Sequence, residues 1–321
     1  METSGKETIL KRLLLGDFGI ILIFLALAIV MSILTPVFYT PVNLLNILRQ
    51  VSVIGIISFG VTLIIIAGGI DLSPGSVAAF VGVVVAGFVS NGHSLLVSLL
   101  VALAVGALCG LTNGILVAFT GIPPFIATLG MMSIARALAL IYSKGRPITL
   151  TSEAASFLAI GSGKLLGIPI PVLIFISTGV LSHIILKKTR FGKYVFAVGG
   201  NEQAAVVCGI NVRKIKIYVF TFGGIMTALA SIVLTSRVSS GNPTAALSYE
   251  LDAIAATVIG GTSLSGGIGS IFGAFIGALI IGSLNNGLSL LGISPYWQQI
   301  AKGVAIIAAV ISDVYRSKSY R

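Results

Sequence analysis

Carboxamides and carboxylates set inside apolar runs are the residues of this chain best able to handle a ligand. Asn46, Gln50, Asn113, Asn285, Asn286 and Gln298 each stand in or beside such runs, as does Asp71 with Ser73 two positions on. These groups suit a hydroxyl-rich solute, because every hydroxyl leaving water needs a substitute hydrogen bond. Each also has a structural reading as polar glue between helices. Asp71-Leu72-Ser73-Pro74 reads equally as a helix start after Gly68 and Gly69, with Ser73 as N-cap and Pro74 at the first helical position. A charge near mid-membrane costs about 2.5–3.5 kcal/mol on insertion scales, so Asp71 must do something. Glu250 and Asp252 sit near a similar break, and Arg136 and Lys302 lie in apolar segments where they snorkel or pair with those acids. Covalent chemistry is not indicated: the chain has no Walker A loop, no HExxH, no CxxC and no GxSxG elbow. His93 and His183 stand alone, no metal-ligand spacing is present, and Cys109 and Cys208 read as small hydrophobes rather than a bridge.

The elements that must carry these residues follow from composition. Of 321 residues, 56% are hydrophobic and 9% charged, with a mean hydropathy of +1.10. A soluble domain carries about 25% charged residues. This chain is therefore read as a single all-α integral membrane domain over 1–321. Ten apolar segments predict about ten transmembrane or re-entrant helices: Gly16–Leu34, Leu44–Ala67, Ser76–Val89, Leu95–Phe119, Phe125–Tyr142, Ile170–Leu186, Ile217–Ser236, Leu251–Gly260, Ile271–Leu291 and Trp297–Ile311. Ser76–Val89 and Leu251–Gly260 are short, which suits a tilted, re-entrant or broken helix. No small-residue cleavage site follows the first segment, so it reads as a retained helix rather than a signal peptide. The 39 glycines read as close helix packing.

A net charge of +11 could suggest nucleic acid, but the basic residues lie between apolar segments instead of forming a stripe. With the N-terminus in the cytoplasm, thirteen basic residues fall inside: Lys6, Lys11 and Arg12, seven in 187–216, and Arg316, Lys318 and Arg321. Five (Arg49, Lys144, Arg146, Lys164 and Arg237) fall outside. That bias places both termini in the cytoplasm, with 187–216 an internal loop and 143–169 the longest external one. There is also an internal echo. Gly68–Gly75 resembles Gly260–Gly267, and Thr120–Pro124 resembles Leu291–Pro295, but at a different spacing, which implies an extra segment in one half.

Within the internal loop, Asn201 suits an N-cap, Glu202 the positive first turn and Gly209 the left-handed position after a helix. The spacing predicts a two-turn helix over Glu202–Cys208. Two turns fall far short of the ~12–15 residues that hold alone in water, so the helix packs on its own membrane domain or docks into a partner.

These residues resemble a known family. Thr189-Arg190-Phe191-Gly192-Lys193-Tyr194, Gly199-Gly200-Asn201-Glu202 with Ala204-Ala205, and Gly209-Ile210-Asn211-Val212 are similar to the cytoplasmic loop of sugar permeases of ABC importers. Gly69–Ser76, Phe125–Leu129, Glu250–Ala256 with Gly260–Leu264, and Asn285–Leu288 resemble the same family, in order, from about residue 33 to 312. The resemblance is strongest to its ribose-type members. It implies an inner-membrane, multi-pass subunit that is not itself an enzyme. Its expected partners are a second permease copy, a cytoplasmic ABC ATPase that holds the ATP and Mg, and a periplasmic sugar-binding protein. No cofactor is expected in this chain. It further implies that the short loop helix, through Asn201, Glu202, Ala204, Ala205 and Gly209, is the coupling element seated in the ATPase, and that sugar crosses by alternating access. Asn46, Gln50, Asp71, Ser73, Asn113, Asn285 and Asn286 are the expected pathway residues. Another pentose or hexose, or an autoinducer-2-like sugar derivative, is the alternative cargo. An ion-coupled secondary transporter is the alternative class, and an intramembrane enzyme lacks the spacing it would need.

Overall fold

The computed structural model describes residues 17–304 together with Ile307 and Ile311. Lys6, Lys11, Arg12, Arg316, Lys318 and Arg321, used above for orientation, lie outside these residues, as does most of the second half of Trp297–Ile311.

The described residues form thirteen helices with four two-residue strands between them. In chain order the helices are α1 Asp17–Leu34, α2 Pro41–Ile66, α3 Pro74–Ser90, α4 Leu95–Thr120, α5 Pro124–Tyr142, α6 Ala155–Ser162, α7 Ile170–Lys188, α8 Arg190–Gly200, α9 Glu202–Val207, α10 Val212–Val238, α11 Tyr249–Ile259, α12 Ile271–Leu290, and α13 over 295–304. Six are long and apolar enough to cross a membrane: α2, α4, α5, α7, α10 and α12. In hydrocarbon every backbone N–H and C=O needs an internal partner, which a continuous helix provides. Prolines at the first turn of α2, α3, α5 and α7 start these helices without losing a bond, since that N–H has no helical acceptor.

The bundle is organised around α2, whose apolar window is 89% buried, whereas those of α4 and α5 are only 28% buried and turn their other faces outward. Phe59 of α2, Phe175 of α7 and Phe275 of α12 stack in one column, with centroids 5.3 and 4.7 Å apart. Against α10 the packing uses glycine. Gly106, Gly110 and Gly114 of α4 meet the α10 backbone at Gly224, Phe220 and Ile217, and Gly60 of α2 meets Gly223. Spacing of four puts the three α4 glycines on one helix face, which lets two backbones approach closely.

Two breaks interrupt this pattern. Residues 67–73 separate α2 from α3, and 260–270 separate α11 from α12. Each break opens with a left-handed glycine, Gly68 and Gly261, both at φ +83°. The two breaks touch: Gly267 N donates to Ile66 O at 2.8 Å, and the preceding helices meet where Thr62 and Thr257 hydroxyls lie 3.3 Å apart. The first internal echo thus has like local structure. The second echo also has like local geometry: Gly121, after α4, and Gly292, after α12, are both left-handed at φ +71° and +72°. In element order Gly92 (φ +79°), after α3, holds a similar place.

Both long loops differ from expectation. Segment 143–169 holds a short 3-10 turn, helix α6 and three strands: β2 (Lys164–Leu165) pairs with β3 (Ile168–Pro169) inside it, while β1 (Ile148–Thr149) pairs with β4 (Ser240–Gly241) beyond α10. Gly161 N donates to Ser236 Oγ at 2.7 Å, tying α6 to the end of α10. Segment 187–216 is mostly helical, since α7 runs to Lys188 and α10 starts at Val212 rather than Ile217. Arg213 and Lys214 sit in the first turn of α10, the end that disfavours cations, and this concealed the helix start. Asn211 caps it by accepting from Lys214 N at 3.0 Å. α8 was not expected. Its sign is the apolar series Phe191, Val195 and Val198 behind Thr189, whose hydroxyl accepts from Gly192 N at 3.2 Å. Cys109 is buried and Cys208 exposed, and they are not bridged.

Candidate functional site

Polar residues gather at both ends of the bundle and at one break between them. At one end lies a cavity of about 550 Å3. Three of the seven expected pathway residues line it: Asn46 and Gln50 on α2 and Asn285 on α12; Gln298 of α13 joins them. Asn46 and Gln50 are four residues apart on α2, with Arg49 between them on the same face. Arg49 Nη1 donates to Asn46 Oδ1 at 3.4 Å, and Arg237, at the end of α10, donates through Nη1 to the Arg49 carbonyl at 3.0 Å. Gln298 Nε2 reaches Ser289 Oγ at 3.2 Å and Ile293 O at 2.8 Å, folding α13 onto α12.

Several wall residues escaped the sequence reading as pathway residues, among them Arg49, Arg237, Tyr249, Asp252, Ser289 and Lys302. Arg49 and Arg237 were counted only as external charges, and both lie within helices; the Asn46, Arg49, Gln50 spacing was the signal that could have found the face. Lys302 Nζ stands 3.0 Å from both oxygens of the nearly buried Asp252, so this cation does pair with one of the two acids of α11. Arg136 does not. Its Nη1 donates to the carbonyls of Pro243 and Ala245 at 2.7 and 3.0 Å.

Asp71, Ser73 and Asn113 are not brought to this cavity. They form a separate buried cluster in the first break, where Asp71 Oδ1 accepts from Ser73 N at 2.8 Å and from Ser73 Oγ at 2.6 Å. Asn113 Nδ2 donates to Ser73 Oγ at 3.1 Å, and Leu72 N donates to Thr128 Oγ1 at 3.1 Å. Ser73 holds the N-cap position of α3, but its hydroxyl makes no cap hydrogen bond because it is committed to Asp71. The carboxylate thus organises an interrupted backbone that would otherwise leave polar groups unpaired.

Asn286 is also elsewhere, in a reciprocal amide pair with Asn43 at 2.9 and 3.0 Å across α2 and α12. Replacing Asn286 alone with leucine should cost about 1–2 kcal/mol, because a buried Asn43 amide loses its partner. The double leucine variant should cost less than either single change. Denaturant unfolding of the four proteins of this cycle in detergent measures it.

At the opposite end, α9 matches the expected helix almost residue for residue. Asn201 Oδ1 accepts from Ala204 N at 2.9 Å, Glu202 opens the first turn, and Gly209 (φ +81°) closes it with its N–H on Val206 O at 2.9 Å. Ala205 is buried beneath the helix, whereas Ala204 is exposed. The helix ends at Val207 rather than Cys208. Lys216 Nζ lies 2.8 Å from both Glu202 oxygens, strapping α9 to α10. Outward from this strap stand Val206 and Val207, 58% and 87% exposed. Behind it, Gly199 of α8 packs against the Ile66 carbonyl and Gly267, so the short helices rest on both breaks.

Comparison with known proteins is consistent over nearly the whole chain. The ribose import permease protein of Bacillus subtilis (strain 168) is 45% identical over 99% of this chain and 100% of its own length. That of Haemophilus influenzae (strain ATCC 51907 / DSM 11121 / KW20 / Rd) is 47% identical over 98% of this chain and 97% of its own. The L-arabinose transport system permease protein of Escherichia coli (strain K12) is 38% identical over 95% and 92%. No solved structure matches. Residues 43–310 match the family described as branched-chain amino acid transport system / permease component. With that match over most of its length and its membrane-crossing helices, the chain belongs to this family of transport permeases.

Proposed function

We propose that this permease imports a small sugar, ribose in the first instance, as the membrane subunit of an ATP-driven importer of the inner membrane. Full-length similarity to ribose import permeases carries the reading. In it the chain crosses the membrane about ten times with both termini in the cytoplasm and works as a homodimer. The cavity end faces the periplasm and receives sugar from a binding protein, while the α8–α9 end faces a cytoplasmic ATPase that holds ATP and Mg. Exposed Val206 and Val207 support docking, since an apolar pair on a six-residue helix gains from a partner's pocket. Asn46, Gln50 and Asn285, in a cavity where amides and charges converge, support a weak hydroxyl-binding stretch of the pathway. Asp71, Ser73 and Asn113 act behind it, holding the break at which the pathway side switches.

Closure of the ATPase dimer on ATP moves the docked α9. The Glu202–Lys216 strap and the Gly199 contact pass that movement to α10 and to both breaks. Reconstitution tests this reading. With a sugar-binding protein and ATPase from the same importer, labelled ribose should accumulate only when ATP is supplied. Accumulation by this chain alone under a proton or sodium gradient would instead favour the ion-coupled class. Within the active system, Glu202→Lys should lower ATP-driven uptake at least tenfold while membrane insertion and thermal stability stay unchanged, because an exposed ion pair contributes under about 1 kcal/mol. Unchanged uptake in Glu202→Lys and in Gly209→Val would count against docking through α9.

A further inference from the structure

A groove of about 630 Å3 runs between α7 and the start of α12, apart from both sites described above. From α7 it is lined by Ile176, Val180, His183 and Lys187, a spacing that keeps them on one helix face. Facing them is Phe272, with Phe275 fixed in place by its stack on Phe175. Ile176, Val180 and Phe272 are about half exposed, a row of large apolar groups with no cover from the rest of the described chain. Polarity is graded along the groove. The stretch toward the middle of α7 is aliphatic and aromatic, and His183 and Lys187 stand at its C-terminal end, next to Lys188 and Arg190 in sequence. The Lys187 ammonium lies 5.7 Å from the centre of the Phe196 ring, which holds it at the groove's end.

We infer that this groove binds an anionic phospholipid, with an acyl chain along Ile176, Val180 and Phe272 and the headgroup phosphate against His183 and Lys187. Charge complementarity selects this occupant. No acidic residue lines the groove, and an amphiphile with an apolar tail and an anionic head matches an apolar channel ending in cations. A second copy of this chain is a poor match among the described residues. Among acids whose side chains are described, Asp71 and Asp252 are buried, Glu202 is engaged by Lys216, Glu250 is packed against Gly75 inside the bundle, and Glu153 lies in the 143–169 segment at the other end. The site stands on these contacts; only its assignment to the cytoplasmic leaflet rests on the orientation proposed above.

Tryptophan quenching in whole protein tests it. Trp297, the only tryptophan, is replaced by phenylalanine, and Phe272→Trp places the reporter in the groove. The protein is reconstituted in phosphatidylcholine with a minor share of phosphatidylglycerol, bromine being carried on the acyl chains of one lipid or an equal amount of the other. Brominated phosphatidylglycerol should quench about fivefold more effectively per molecule, the preference one basic side chain gives near an anionic group. Lys187→Gln should bring the ratio to one. Equal quenching by both lipids with Lys187 present would overturn the inference, as would quenching by neither, which would mean that protein covers the groove. Native mass spectrometry gives a second measure in otherwise unaltered protein, where retained phosphatidylglycerol should disappear with Lys187→Gln.

Discussion

Replacing Lys302 with methionine is expected to lower the unfolding free energy of the purified protein by about 3 kcal/mol. Asp252 has a side chain only 5% exposed, and Lys302 is its ion-pair partner in the described structure. Removing the ammonium leaves a carboxylate in the wall of the bundle without a counter-charge, and that loss is far larger than the small net gain of forming the pair. The double variant Asp252→Asn with Lys302→Met should recover most of the loss. Denaturant unfolding in detergent decides it. If the double variant is as unstable as Lys302→Met, packing of the lysine stem rather than charge is responsible. Because the pair joins α11 to α13, the single change should also loosen the final described helix, visible as faster amide exchange over 295–304.

Gly110→Leu is the second large effect. Any side chain at this position would overlap the Phe220 carbonyl on α10, a backbone atom that no rotamer change can move. The α4–α10 crossing would have to separate along a face that also includes Gly106 and Gly114. Overpacking of this kind costs about 1–3 kcal/mol, and the expected result is a lower thermal midpoint with a reduced yield of monodisperse protein. Gly130→Ala is the matched control. It lies inside α5, and a methyl there would meet nothing within 4 Å, so the change should be neutral or stabilising by up to about 1 kcal/mol. A Gly110→Leu protein as stable as wild type would mean that the two helices do not cross at these glycines.

Much of this architecture was legible in the sequence, for a physical reason. Hydrocarbon leaves helices as the only open-ended spanning element, so the apolar runs mark helices α2 to α5, α7, α10 and α12 within a few residues. The short helix α9 was legible because caps are local chemistry: Asn201 and Gly209 act on neighbours three residues away or fewer. Positions decided by distant partners were not. Nothing near Asn286 in sequence announces Asn43, and nothing near Ser73 announces Asn113. Arg49 and Arg237 were counted only as external charges, since nothing near either in sequence announces the cavity wall that they share. The start of α10 was missed because its basic first turn opposes the helix dipole.

Gly199 has a mechanical corollary. It is wedged where the carbonyl end of α2 and the later backbone discontinuity come within a hydrogen bond of one another. If the proposed importer works as described, a stroke delivered there would strike two fulcrums together, so that both breaks would receive one synchronised impulse rather than two in succession. The absent side chain would leave no slack to absorb the blow.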